Sequence, residues 1–175
     1  MILIVLPVYN EGQSLINLIE DICKIKNQFK RDCEIIICND GGKDNLEINL
    51  NKFNSKIKIH LLKNKYNRGL PETIRNLFEF CSINYSPEDI IVRMDGDNTH
   101  DPKYIIDMVD KIQDGYDVVI ASRYTKNSIN SDIPYRRKIL SNISSYIFRI
   151  LFRIKNVKEY TCGYRAYRVS IIQKA

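Results

Sequence analysis

Short runs of apolar residues alternate with longer segments of helical periodicity along this chain. Five runs have the length and composition of buried strands: Ile2–Leu6, Glu34–Cys38, Ile57–Leu62, Ile90–Met94 and Val118–Ala121. Helical spacing marks three segments between them: Ser14–Lys26, Leu70–Phe80, and the residues from Asp101 to about Gln113. This alternation predicts an α/β fold, with a mostly parallel sheet and helices on both faces.

Individual residues predict where some helices begin. Ser14 is a candidate N-cap of the first helix, and Pro71 suits the first turn of the second. The closing residues, Val169–Ala175, also have the pattern of a helix. No internal repeat or linker interrupts the sequence, so we expect residues 1–175 to form one domain.

Composition favours a folded protein of a reducing compartment. Of the 175 residues, 44% are hydrophobic and 27% charged, as in ordinary globular domains. The five cysteines are scattered without Cys-x-x-Cys spacing, which disfavours a zinc site or a disulfide framework. The run Met1–Leu6 lacks a basic start and is too short for export or for a membrane span. We therefore expect a cytoplasmic protein.

Charge is distributed unevenly. Residues 1–133 have 17 Lys/Arg and 20 Asp/Glu, whereas residues 134–175 have 10 Lys/Arg and the single acid Glu159. Within the basic part, residues 139–154 are apolar and interrupted by Arg149 and Arg153. This segment suits a helix lying at a membrane interface, and equally a core helix of the domain. A non-catalytic nucleic-acid-binding module that uses this basic part is a remote alternative. The basic part has no recognisable binding motif, so we expect no nucleic-acid partner.

The strand ends carry the candidate chemistry. Asp95-Gly96-Asp97 follows the fourth strand, and two carboxylates one residue apart suit a hard divalent cation that also binds substrate phosphates. Asp-Gly is also ordinary turn chemistry, so the motif alone is weak. Polar segments follow the other strands as well: Pro7–Gly12, Asn39–Asp44, Asn67–Gly69 and Ser122–Tyr124. Ligands of parallel sheets bind beyond the carboxyl ends of the strands, where these segments are expected to meet.

Together these blocks resemble the family-2 glycosyltransferases, which have the GT-A nucleotide-sugar-binding fold. The resemblance is carried by Pro7-Val8-Tyr9-Asn10-Glu11, Asp40, Arg68-Gly69, Asp95-Gly96-Asp97, Ser122-Arg123-Tyr124 and Thr161–Arg168. The later blocks look closest to polyprenyl-phosphate sugar transferases of the dolichol-phosphate mannosyltransferase type. The resemblance implies an inverting, metal-dependent transfer of a sugar from a UDP- or GDP-sugar to a polyprenyl phosphate, at the inner face of the membrane.

Site residues also follow from the resemblance. Donor binding is expected at Pro7, Tyr9, Glu11, Asp40, Arg68, Asp95 and Gly96, and Mg²⁺ or Mn²⁺ at Asp95 and Asp97. The catalytic set is Asp97, Arg123 and Glu159, with Arg123 at the diphosphate. The acceptor phosphate is expected at Arg136, Arg137 and Arg165. Residues 1–125 would form the nucleotide-sugar and metal part, and residues 126–175 the acceptor side.

Some features depart from the family pattern or leave alternatives open. Thr99 stands where related enzymes often have a metal-binding Gln, and the chain stops where family members usually continue, so we expect a C-terminally truncated domain. The alternative acceptor is a saccharide or protein hydroxyl, as in cell-envelope synthesis. A hydroxyl needs a carboxylate base, which Glu159 would supply. A phosphate is already anionic near neutral pH, and Glu159 would then orient Arg165 or Arg168.

Overall fold

A computed structural model describes residues 1–44, 46–121, 157 and 160–175, without the side chains of residues 47 and 48. The chain divides into two compact units, one of residues 1–119 with 164–175 and the other of residues 120–163. In the second unit, the described residues are 120, 121, 157 and 160–163. The fold below is that of the first unit, with the last residue of one strand belonging to the second.

Strands and helices alternate as far as residue 120. The strands are β1 (Ile2–Val8), β2 (Cys33–Asn39), β3 (Lys58–Lys63), β4 (Ile90–Arg93), β5 (Val118–Ile120) and β6 (Arg165–Arg168). The helices are α1 (Gln13–Ile25), α2 (Leu46–Leu50), α3 (Leu70–Asn84), α4 (Tyr104–Gln113) and α5 (Val169–Ile172). Short 3-10 turns follow α1 and α2, at Lys26–Gln28 and Asn51–Phe53.

The strands form a six-stranded sheet in the order β3-β2-β1-β4-β6-β5. β1 pairs in parallel with β2 on one side and with β4 on the other, and β2 pairs in parallel with β3. β6 pairs antiparallel with β4, with Ile90 opposite Arg168 and Arg93 opposite Arg165. The sheet is therefore mixed, with a parallel centre, and the mostly parallel α/β arrangement expected from the sequence is confirmed.

Apolar side chains cover both faces of the central strands. All seven residues of β1 are buried, as expected for a strand of a parallel sheet with helices on both sides. One face packs Leu3 and Val5 of β1 against Leu77 and Cys81 of α3. Alternate residues such as Ile4 point to the opposite face and are equally buried. This rigid centre fixes the positions at which the strands end.

Two features of the fold differ from the sequence predictions. Ser14 is not the N-cap of α1: the helix begins after Gly12, whose N–H donates to Asp44 Oδ2 at 3.0 Å. A side chain distant in sequence therefore binds the end of this helix. Strand β6 was not predicted at all, because its residues have no apolar run and become a strand by pairing with β4. Pro71 does occupy the first turn of α3, as predicted.

Among the described residues, no helix combines the length and the hydropathy needed to span a bilayer. The apolar basic segment 139–154 lies outside the described residues.

Candidate active site at the carboxyl ends of the strands

The order in which successive strands are added to the sheet reverses at β1, which has β2 on one side and the parallel strand β4 on the other. From β1 the chain moves outward through β2 and β3, and it then returns to the other side of β1 as β4. Open α/β sheets bind ligands in the crevice at such a reversal, beyond the carboxyl ends of the strands. Glu11 follows β1 and Asp95 follows β4, so the topology brings the two predicted acidic segments to one edge.

The turn after β4 is held by its own side chains. Asp97 Oδ1 accepts hydrogen bonds from the Thr99 N–H at 3.0 Å and from Thr99 Oγ1 at 2.7 Å. Asn98 adopts a left-handed φ of 60° between them. Among the described residues no donor reaches Asp97 Oδ2, which leaves this oxygen available to a ligand. Thr99 therefore orients Asp97.

Asp95 is fixed from the strand behind it. The Arg93 guanidinium donates to Asp95 Oδ1 at 2.9 Å, and the Arg93 side chain is only 11% exposed. A charge-assisted bond to a largely buried arginine restricts the carboxylate more than an exposed ion pair would. Asp95 thus presents a preset carboxylate beside Asp97.

Several carboxylates lie around Glu11, which follows β1. Its pKa is raised from the ordinary value, first because the side chain is partly buried and then because Asp97, Asp44 and Asp95 repel its negative charge. No described residue donates a hydrogen bond to the Glu11 carboxylate. Four acidic side chains therefore share one region. Arg93 compensates the charge of Asp95, but no ion pair among the described residues compensates Glu11, Asp44 or Asp97, and a cation would stabilise this arrangement.

Asp40 lies at the end of β2 and is almost completely buried, at 4% exposure. Its carboxylate accepts from Asn64 Nδ2 at 2.8 Å and from the N–H groups of Arg68 and Gly69 at 2.9 and 2.8 Å. Burial raises the pKa of Asp40, but these hydrogen bonds outweigh it and hold the pKa below the ordinary value. Asp40 therefore fixes the segment that leads into α3.

Two glycines let the loop after β2 approach its neighbours. A β-carbon on Gly41, whose φ is +76°, would lie 2.5 Å from the Tyr66 carbonyl carbon. One on Gly42 would lie 2.9 Å from Asn10 Oδ1, and the same Asn10 oxygen accepts the Lys43 N–H at 2.9 Å. The segments after β1, β2 and β3 are consequently joined by direct contacts, as expected from their positions at the strand ends.

A divalent cation fits this set of residues. Carboxylate oxygens are the ligands that Mg²⁺ and Mn²⁺ prefer, and Asp95 and Asp97 both lie beside Glu11. Within the described part of the chain, no group of three or more His, Cys, Asp or Glu side chains is placed to hold a metal ion by itself. The protein would therefore supply few ligands, and substrate phosphates and water the others.

The remaining predicted residues are placed as follows. Pro7 is buried in β1, and its carbonyl oxygen lies 3.2 Å from where a β-carbon of Gly96 would be. Tyr9 is 48% exposed beyond β1. Arg68 is half exposed and approaches Glu72 at 4.0 Å. Arg165 begins β6 opposite Arg93. Four predicted residues, Arg123, Arg136, Arg137 and Glu159, lie outside the described residues, and their roles stay predictions.

Sequence reasoning missed several residues that shape the site. Asp44 binds Gly12 and repels Glu11, Arg93 binds Asp95, and His100 accepts the Asp95 N–H at 3.2 Å. Arg93 carried one signal, because it is a charged residue at the end of a buried strand. The sequence predicted that the segments after β1 and β2 meet, but not that the Asp44 side chain binds Gly12, because that contact depends on the register of β1 with β2.

Known proteins resemble this chain over nearly its whole length. The family Glycosyl transferase family 2 matches residues 3–175. The chain is 27% identical to the dolichol-phosphate mannosyltransferase of Pyrococcus furiosus over 97% of its length, and 26% identical to the polyprenol monophosphomannose synthase of Mycolicibacterium smegmatis over 98%. It is also 29% identical to the undecaprenyl-phosphate 4-deoxy-4-formamido-L-arabinose transferase of Proteus mirabilis over 97%.

Solved structures confirm the fold. Glucosyl-3-phosphoglycerate synthase from Mycobacterium tuberculosis, in complex with Mn²⁺, UDP-glucose and phosphoglyceric acid, superposes with a TM-score of 0.68 at 18% identity. The superposition covers 98% of this chain and 57% of the synthase chain. TarS of S. aureus, in complex with UDP-GlcNAc, gives a TM-score of 0.65 at 16% identity. That superposition covers 99% of this chain and 46% of the TarS chain. The curated relatives are longer too, since the chain spans 47%, 63% and 49% of their lengths.

Proposed function

This chain belongs to glycosyl transferase family 2 and has the GT-A fold, and we propose that it transfers a sugar from a nucleotide-sugar donor to a polyprenyl phosphate. The transfer inverts the anomeric centre and depends on a divalent cation at Asp95 and Asp97. Three curated relatives support the acceptor class, because their names specify dolichol phosphate, a polyprenol monophosphate and undecaprenyl phosphate.

One observation carries the proposal: carboxylates converge on the Glu11 side chain at the junction of β1 and β4. Such a cluster repels the diphosphate of a sugar donor unless a cation lies between them. In a transfer that releases a nucleoside diphosphate, the cation neutralises charge that grows on the leaving group. The cluster and a donor diphosphate are therefore complementary only together with the metal.

The residues of the candidate site would each have a separate role in binding the cation or the donor. Asp97, held by Thr99, and Asp95, held by Arg93, supply oxygen ligands in fixed orientations. Tyr9 is exposed at the same edge and would contact the nucleoside. Asp40 would act on the donor indirectly, because its carboxylate holds the backbone of Arg68 in place. Preset groups of this kind add to catalysis because they need no reorganisation during the reaction.

An acceptor phosphate changes what the protein must provide. It is largely anionic at neutral pH, so it attacks the anomeric carbon without first giving up a proton to a strong base. Arginines are suited to bind it, because their planar guanidinium groups match phosphate oxygens. We propose Arg165, with Arg136 and Arg137, for this part, and Arg123 for the donor diphosphate. The basic residues of 134–175 also suit a peripheral position on an anionic membrane surface.

The test combines donor binding with transfer. Thermal unfolding is measured with Mn²⁺ and a panel of UDP- and GDP-sugars, each with and without metal. A donor at about 100 times its Kd stabilises the fold by ~2.7 kcal/mol, a Tm increase of about 5–10 °C for a chain of this size. Labelled sugar from that donor is then offered to a short polyprenyl phosphate and to the matching polyprenol.

Asp97→Ala is expected to abolish the metal-dependent Tm shift and to reduce transfer at least about 100-fold. Asp114→Ala is the matched control, because Asp114 is exposed and its one ion pair among the described residues is with Lys111 at 3.2 Å. The absence of a metal-dependent shift with every donor would contradict the proposed donor and metal site. Donor binding followed by transfer to the polyprenol alone would contradict the phosphate acceptor.

A further inference from the structure

The turn that carries the two aspartates is closed at its base by an aromatic pair that the proposed function does not use. The ring of His100 stacks on the ring of Tyr164, with 4.9 Å between centroids and 18° between planes. Tyr164 is 3% exposed, and the His100 side chain is 19% exposed. We call His100 and Tyr164 the clasp.

His100 binds the first residue of the turn. Its Nδ1 accepts the Asp95 N–H at 3.2 Å, so Nδ1 carries no proton in this arrangement and the neutral ring is protonated on Nε2. Nε2 lies 3.8 Å from Asp95 Oδ2. Because Nδ1 is occupied by the Asp95 amide, His100 acts on the backbone of Asp95 and not as a metal ligand through that atom.

Tyr164 binds the last residue of the turn. Its hydroxyl donates to the Asp101 carbonyl oxygen at 3.1 Å. Tyr164 directly precedes β6, which pairs with β4, so the ring is held by the same sheet from which the turn emerges. The clasp therefore joins both ends of residues 95–101 to one rigid support, while Thr99 fixes the tip at Asp97.

We infer that the clasp positions the Asp95–Asp97 turn for the divalent cation. Two carboxylates that move independently must be ordered when a cation binds, whereas a turn fixed at base and tip is already ordered. Groups that orient metal ligands typically change metal affinity 10–100-fold when removed. His100 and Tyr164 are thus positioning residues, and the inference rests on the proposed function in requiring a cation at Asp95 and Asp97.

Three variants separate the contacts of the clasp, and a fourth is the control. His100→Phe keeps the stacked ring and removes the acceptor of the Asp95 N–H, whereas His100→Asn restores an acceptor oxygen without the ring. Tyr164→Phe keeps the ring and removes the bond to Asp101. His60→Ala is the matched control, because His60 lies on the outer strand β3, 2.8 Å from Glu34, and we expect its loss to affect stability alone.

The readouts are Mn²⁺ affinity without substrate, from the free-ion paramagnetic resonance signal, and hydrogen exchange of the peptide covering residues 94–101. His100→Phe is expected to weaken Mn²⁺ binding about 10-fold and to accelerate exchange in this peptide. Tyr164→Phe is expected to weaken binding about 3-fold, and His100→Asn to remain within about 3-fold of the unmodified chain. His60→Ala is expected to lower Tm without changing Mn²⁺ affinity.

Unchanged Mn²⁺ affinity and exchange in His100→Phe would overturn the inference and leave the proposed function intact. If Mn²⁺ binds only together with a donor, the same variants are compared with that donor present. An unmodified chain that binds no Mn²⁺, either alone or with any donor, would overturn both proposals, because the clasp would then have no cation site to position. Equal losses of affinity in His60→Ala and His100→Phe would also overturn it, since general destabilisation would account for them.

Discussion

Glu11 lowers the stability of the fold at neutral pH. Its raised pKa, caused by burial and by Asp97, Asp44 and Asp95, means that the folded chain holds a proton on Glu11 more tightly than the unfolded chain does. The folded state is therefore favoured below the ordinary pKa of a glutamate, and this advantage is lost as pH rises through the raised value. Unfavourable charge at a site of function is a common compromise between stability and activity.

Removing one of the repelling charges should make the metal-free protein more stable. We expect Asp97→Asn to raise the Tm without metal by about 1–3 °C at pH 7, because it lowers the repulsion on Glu11 and its Oδ1 still accepts from Thr99. The same variant should lose the stabilisation by Mn²⁺ and donor. Differential scanning fluorimetry measures both.

Asp114→Asn serves as the control, because it removes an exposed acid far from Glu11, and its metal-free Tm should change by less than about 1 °C. A metal-free Tm of Asp97→Asn below that of the unmodified chain would show that repulsion at Glu11 is not significant.

At this scale the sequence predicted the candidate carboxylates but not the residues that hold them in place. Asp95 and Asp97 were recognisable as a pair of carboxylates at the end of an apolar run. Arg93, His100 and Asp44 were not identified, because their contacts depend on side-chain directions and on strand pairing. Asp40 was expected at the donor, and the structure shows its carboxylate accepting hydrogen bonds within the protein.

The loop after β2 and the segment before α3 function as one element. Asp40 binds the N–H groups of Arg68 and Gly69, and Gly41 allows the backbone of Tyr66 to pack against the loop. A side chain at residue 41 has no space, because its neighbours there are backbone atoms that cannot rotate away. The two segments must therefore keep this contact for Arg68 to stay beside the loop after β2.

Gly41→Ala is expected to lower the free energy of unfolding by about 2–4 kcal/mol, from left-handed strain and overlap with Tyr66. Donor affinity should fall as well, since the loop must move. Gly115→Ala is the matched control: Gly115 has a φ of +103°, but a β-carbon there would meet no atom within 4 Å. Its cost should be about 1–2 kcal/mol without loss of donor binding. Urea denaturation measures both free energies of unfolding. If Gly41→Ala and Gly115→Ala lower them equally, the contact with Tyr66 is not important.

Five strands and three helices were predictable because their hydrophobic periodicity is strong and local. β6 was not, since Arg165-Ala166-Tyr167-Arg168 has no apolar run and only Ala166 is fully buried. Its identity as a strand comes from β4, through a pairing distant in sequence. The N-terminus of α1 was wrong for a related reason: the group that binds it, Asp44, comes from the loop after β2.

On the scale of the whole molecule, the two ends of the sheet have different charge environments. The carboxyl ends of β1 and β4 gather acids with few partners, whereas Glu34, at the amino end of β2, is fully partnered. Its carboxylate accepts from Tyr85 at 2.6 Å and from Lys58 at 2.9 Å, and it lies 2.8 Å from His60 Nε2. Burial raises the pKa of Glu34, but these bonds together outweigh it and lower the pKa below the ordinary value.

Glu34 is therefore expected to make stability depend on pH. Its contribution is complete above the ordinary pKa of a glutamate and is lost as pH falls through the lower folded-state pKa. Glu34→Gln should cost about 1–3 kcal/mol at pH 7, and this difference should shrink toward pH 4. Urea denaturation across this range measures it. The variant should bind Mn²⁺ at pH 7 as the unmodified chain does. If the difference in free energy of unfolding between the two proteins stays constant with pH, the ionic role of Glu34 is contradicted.

The overall architecture could be predicted from the sequence, whereas the strand order could not. Alternating periodicity predicted an α/β sheet, and the family resemblance predicted the GT-A fold, which the solved structures confirm. Periodicity alone does not specify the order β3-β2-β1-β4-β6-β5, because it contains no information on which strands pair. That order is what brings Glu11 next to Asp95, so the site depends on a property that no local pattern contains.

A ribosome completes β4 75 residues before it reaches the end of β6. At about 5–20 residues per second, the nascent chain spends several seconds with one edge of β4 unpaired. Open strand edges promote association between chains, so high-level expression should benefit from chaperones or from slower synthesis at lower temperature. Fragments that end before Arg165 would keep that edge open permanently and are poor choices for crystallisation.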